Sequence, residues 1–95
     1  MKEITNELTG IREVVLDSIT EADMSGLKLP VVAVYKHPDD FPDKYVARIF
    51  DADRPTNTIM IKDSLIELKK DIEKTGMVFL LRGAEDVPAL VGAYM

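Results

Sequence analysis

The sequence has no cysteine, no tryptophan and a single histidine. Without cysteine there can be no structural disulfide, thiolate metal site or thiol nucleophile. That absence is compatible with a reducing compartment, and a cytoplasmic location is the expectation. One histidine excludes a two-histidine metal site, and a Ser/His/Asp triad would have to use His37. It stands beside Pro38, with none of the glycine pattern of a nucleophile elbow. Long apolar runs are missing as well. Met77 to Leu81 is among the longest and is far too short to span a bilayer. The opening Met1-Lys2-Glu3-Ile4-Thr5-Asn6-Glu7 is charged and lacks the apolar centre of a signal peptide. No membrane partner is expected. Gly76, Gly83 and Gly92 do not make a phosphate loop, because neither GxxxxGK(S/T) nor GxGxxG occurs. No cofactor is expected.

What is present suits one small soluble domain over residues 1–95, with 46% apolar and 31% charged residues. A chain of this size buries about 60–65% of the surface it would expose unfolded, enough for one modest core. The net charge of −5 is unevenly placed. Residues 1–25 hold six acids (Glu3, Glu7, Glu13, Asp17, Glu21, Asp23) against Lys2 and Arg12, a balance of −4. The remainder is near neutral. An acidic chain repels a phosphate backbone, so nucleic-acid binding is not expected.

The pattern of residues predicts an α+β fold in the order α-β-β-β-α-β-β. Ile4, Leu8, Ile11, Val15 and Ile19 recur at helical spacing, which predicts an acidic amphipathic helix within residues 1–25. Gly10 weakens that reading, Thr9-Gly10 could divide the segment, and Val14-Val15 leaves a strand as the minority alternative. Pro30 opens the α+β core. Val31 to Tyr35, Tyr45 to Phe50 and Thr58 to Lys62 read as three strands of an antiparallel meander. Ser64 followed by Glu67 marks a helix start, with Asp63 as a competing cap. Leu65, Leu68 and Ile72 share one face of that helix, and Gly76 suits its C-terminus. Met77 to Leu81 reads as a strand, Arg82 to Pro88 as a loop with Gly83 as a turn residue, and Ala89 to Met95 as a last strand or short helix.

Few side chains suggest chemistry. Asp39, Asp40 and Asp43 form one carboxylate group and Asp51 with Asp53 a second. A hairpin would send them to opposite sheet ends, and neither has calcium-loop spacing. Turn formation explains both. No catalytic or metal-binding residue is assigned. Tyr35, Tyr45 and Arg48 are candidate partner-binding residues, since tyrosine and arginine are enriched at interface hot spots. Strand parity places Tyr45 and Arg48 on opposite faces, so all three cannot form one patch on a regular sheet.

Val34-Tyr35-Lys36-His37-Pro38, Asp40 to Arg48, Pro55-Thr56 and Asp63-Ser64-Leu65 together resemble a group of short uncharacterised bacterial proteins, often from phage or mobile-element neighbourhoods. The resemblance covers about residues 31–95 and implies a final strand over Pro88 to Met95, with no activity attached. Phe50-Asp51 and Ser64-Leu65 are also weakly similar to HicB-type antitoxins, although Ala52-Asp53-Arg54-Pro55 replaces their glycine-rich turn. The leading expectation is a non-catalytic protein that binds another protein or itself, as in a homodimer. One alternative is an antitoxin-like regulator whose acidic residues 1–25 attract a basic partner. Another is a small enzyme using carboxylates and His37.

Overall fold

Residues 1–25 form a β-hairpin and one 3-10 turn, where the sequence pattern predicted a helix. The computed structural model describes residues 1–81 and 89–95. In it β1 (Lys2–Thr5) pairs antiparallel with β2 (Arg12–Leu16). Turn chemistry decides the outcome. Asn6 Oδ1 accepts the backbone N–H groups of Leu8 and Thr9 at 3.0 and 3.2 Å. Gly10 adopts φ of +73°, a left-handed conformation open to glycine at little cost. Val14 and Val15, β-branched, then extend readily as a strand. Two of the five residues that supplied the helical period, Leu8 and Ile11, are 64% and 54% exposed. Ile19 is buried, but in the 3-10 turn (Ile19–Glu21), where Ser18 and Glu21 cap each other reciprocally.

The expected α+β class with an N-terminal helix is therefore corrected. Among the described residues the chain is 45% strand and 14% helical, one mixed sheet of seven strands with one α-helix in the C-terminal half. β3 (Pro30–Lys36), β4 (Tyr45–Asp51) and β5 (Arg54–Lys62) form the antiparallel meander. The helix α1 (Leu65–Glu73) follows, with Ser64 Oγ accepting the Glu67 N–H at 3.1 Å. Gly76, at φ of +79°, lies just beyond its end. β6 (Phe79–Leu81) and β7 (Leu90–Tyr94) complete the sheet. The expected loop from Arg82 to Pro88, Gly83 included, lies outside the described residues.

Across the sheet the order is β1-β2-β5-β4-β3-β7-β6. β2 and β5 run parallel, and the other neighbouring pairs are antiparallel. The N-terminal hairpin thus extends one side of the meander and the β6–β7 pair extends the other.

The main core lies between the sheet and α1. Leu16, Val32, Val34, Ala47, Ile49, Met60 and Tyr94 meet Leu68 and Ile72 of the helix, with Ile19 joining from the 3-10 turn. Asp71 links those last two elements: its Oδ1 accepts the Ile19 N–H at 2.7 Å and the Ser18 hydroxyl at 3.1 Å. The opposite face carries a smaller cluster of Val15, Val46 and Ile59, with Ile4, Ile61 and Phe41 packed against it. Phe41 comes from the connection between β3 and β4, residues 37–44, which folds over that part of the helix-free face.

Candidate functional site

Alternation along β3 and β4 places Tyr35 and Arg48 on the helix-free face, since Tyr35 pairs with Val46 and Arg48 with Ala33 and Ile59. Tyr45 projects from the other face. It packs against the main core, and its ring centroid lies 4.9 Å from that of His37. Tyr35 and Arg48 line a recess of about 200 Å³ together with Pro38, Asp40 and Val46.

Arg48 directs its guanidinium into the protein. Nη1 donates to Glu13 Oε1 and to the Thr56 carbonyl, both at 2.8 Å, while Nη2 donates to Glu13 Oε2. The Thr56 carbonyl lies in an irregular stretch of β5 where the register with β4 shifts between Arg48 and Phe50. Asp40 Oδ2 stands 4.0 Å from Arg48 and accepts the Asn6 side-chain amide at 3.0 Å. Asn6 and Glu13 are both buried. Burial by itself would lower the Arg48 pKa, but Glu13 and then Asp40 outweigh it and the net shift is upward. The Tyr35 phenol is also pushed up, first by burial, with Arg48 opposing and Asp40 adding. The group ties the β1–β2 turn, β2, β4 and residues 37–44 together. It is a structural ion-pair network in which the arginine's terminal nitrogens already have partners.

The remaining polar candidates are dispersed. The acids of residues 1–25 do not share a helical stripe: Glu13 holds Arg48, Glu21 caps the 3-10 turn, Glu3 lies 3.5 Å from Arg12, and Asp17 lies 3.3 Å from the N-terminal ammonium. Asp39, Asp40 and Asp43 sit in the β3–β4 connection, while Asp51 and Asp53 sit at the β4–β5 turn. Lys44 pairs with Asp63, which raises the lysine pKa and lowers that of the carboxylate. Among the described residues no three histidine or carboxylate side chains gather as a metal cage. No helix among them is long and apolar enough to cross a membrane.

The most distinctive surface lies at the β6 edge. Val78 and Met95 exchange both backbone hydrogen bonds, at 2.9 and 3.0 Å, which prolongs the β6–β7 ladder by one pair. Leu80 pairs with Ala93. Val78, Leu80 and Met95 therefore share the helix-free face at the sheet's end, and they are 65%, 50% and 48% exposed. Leu81, on the other face, is more exposed still. From Val78 to Leu81 there is no charge. At the opposite edge β1 reads Lys-Glu-Ile-Thr, and charged side chains are a usual protection of a sheet edge against pairing. The sequence pattern marked Met77 to Leu81 as a strand but did not mark it as a surface. The uncharged run was the available signal. Its position at an edge follows from the topology.

Neither a protein-family model, nor a curated protein, nor a solved structure matches this chain.

Proposed function

We propose that the protein is a non-catalytic interaction module that binds a protein chain, its own or another, along the β6 edge and the adjoining helix-free face. The observation that carries this reading is the exposed trio at the uncharged sheet edge, Val78 and Leu80 on the edge run itself and Met95 beside Val78 just past the end of β7. An edge strand offers unpaired backbone groups, and an incoming strand can satisfy them while its side chains meet the apolar patch. Exposed apolar patches of roughly 300–600 Å² on small proteins are often functional. The inward-turned Arg48 and Glu13 support the scaffold and leave recognition to the edge.

The test immobilises tagged protein in host lysate to which an untagged copy has been added, with Leu80→Lys as the control bait. The expected result is a species, untagged copy or host protein, retained by the wild type and lost from the variant. Circular dichroism and thermal melting establish that the variant is folded. Equal capture by both baits, or no capture by either together with a strict monomer in sedimentation equilibrium at about 1 mM, would reject the reading.

A further inference from the structure

We propose that the occupant of the β6 edge is a second copy of this chain, paired antiparallel about a two-fold axis through Leu80. The inference rests on the interaction reading above and names its partner. The first argument is hydrogen-bond register. Val78 spends its N–H and C=O on Met95. Bonding direction alternates along an antiparallel strand, so Leu80 also turns its backbone groups toward β7, where it pairs with Ala93. Phe79 and Leu81 consequently point theirs outward. Setting Phe79 opposite Leu81 of the second copy lets each pair exchange two hydrogen bonds, and the symmetric pair does the same. Leu80 then faces its own counterpart as a pair without hydrogen bonds, the arrangement that brings side chains closest.

The second argument is charge. A chain of net charge −5 resists its own copy, but the strand from Val78 to Leu81 brings no like charges to the seam. The same two-fold places both copies of α1 on one side of a continuous sheet and leaves the charged β1 strands as its outer edges. Growth stops at two copies, because the contact is isologous and uses the uncharged edge of each.

The third argument is area. Val78, Leu80, Leu81 and Met95 expose on the order of 400 Å² per copy, about half the ~800 Å² per partner of a standard stable interface. This sets the dimer in the weak class, with a dissociation constant on the order of micromolar or above.

The absence of cysteine makes the register directly testable. Across a pair without hydrogen bonds the Cα atoms lie about 4.5 Å apart, within the roughly 4.4–6.8 Å that a disulfide spans. Leu80→Cys should therefore cross-link into a dimer under mild oxidation. Val78→Cys, on the same strand and face, should not, because its counterpart lies about 13 Å along the strand. Sedimentation equilibrium should show concentration-dependent dimerisation of the unmodified protein, weakened at least ~10-fold by Leu80→Lys. Cross-linking of Val78→Cys as efficient as that of Leu80→Cys would overturn the register. A strict monomer at about 1 mM would overturn the second copy as occupant. In that case capture of a host protein lost in Leu80→Lys leaves the interaction reading standing, whereas no such capture removes both.

Discussion

Arg48 on β4 reaches across β5 to clamp the buried Glu13 carboxylate of β2 with both terminal guanidinium nitrogens. Removing one partner of such a pair leaves the other charge in a poorly solvated place, a change that costs about 3–5 kcal/mol. Arg48→Ala should lose about that much stability in urea unfolding. Replacing both residues together with leucine should lose far less, since the cost lies chiefly in the orphaned charge.

Asp71 accepts the Ile19 N–H and the Ser18 hydroxyl, fastening the 3-10 turn to α1. Asp71→Ala leaves the Ile19 N–H without its partner beside a fully buried side chain. The expected loss is about 2 kcal/mol. Asp71→Asn keeps an acceptor and should lose less. Chemical denaturation of the two variants side by side checks the order.

At Gly92 a Cβ atom would come within 2.4 Å of the Leu80 carbonyl oxygen and 2.6 Å of Phe79 Cζ. The first neighbour is backbone and cannot rotate away, so Gly92→Ala must displace β6. It should destabilise the protein by about 1–3 kcal/mol. It should also weaken self-association at protein concentrations where the variant remains folded, which sedimentation equilibrium would show.

The Tyr94 hydroxyl donates to Glu73 Oε2 at 2.9 Å from a buried ring tilted at 51° to that of Phe79. Burial first, then the Glu73 bond and its charge, raise the phenol above its ordinary value of 10.0. Because the folded pKa is the higher one, the stabilisation is fully present below about pH 10 and is lost as pH rises from there toward the folded value. Tyr94→Phe should flatten this alkaline decline and lose about 1 kcal/mol at neutral pH. Urea unfolding from pH 8 to 11 separates the two effects.

The meander, the Ser64-capped helix and the strand after it were legible because each is marked locally, by alternation, a cap or an apolar run, while the residues from Ala89 to Met95 left strand and short helix both open. The N-terminal segment was not legible. Ile4, Leu8, Ile11, Val15 and Ile19 imitate a helical stripe, yet Leu8 and Ile11 are exposed. The signals that prevail are Asn6, Gly10 and the β-branched pair Val14-Val15, short-range turn and strand preferences competing with an accidental period. Parity set Tyr45 and Arg48 on opposite faces of one strand, but the bond from Arg48 to Glu13 joins residues 35 positions apart. Local pattern holds no trace of that contact. The β6 surface was likewise hidden, because an edge is a property of strand order.

The single parallel seam has a consequence for how the chain assembles. Val14 to Leu16 must find Thr58 to Met60 across more than forty intervening residues, whereas the meander closes through short connections. Contacts distant along the chain form late, because they require the larger loop to close first. By the same reasoning the hairpin of β1 and β2 docks after the meander, as does β7, whose pairing with β3 spans more than fifty residues, and Arg48 stays hydrated until Glu13 arrives. Pieces that dock late should open early, so amide exchange in β2 should report a partial opening before the meander itself unfolds.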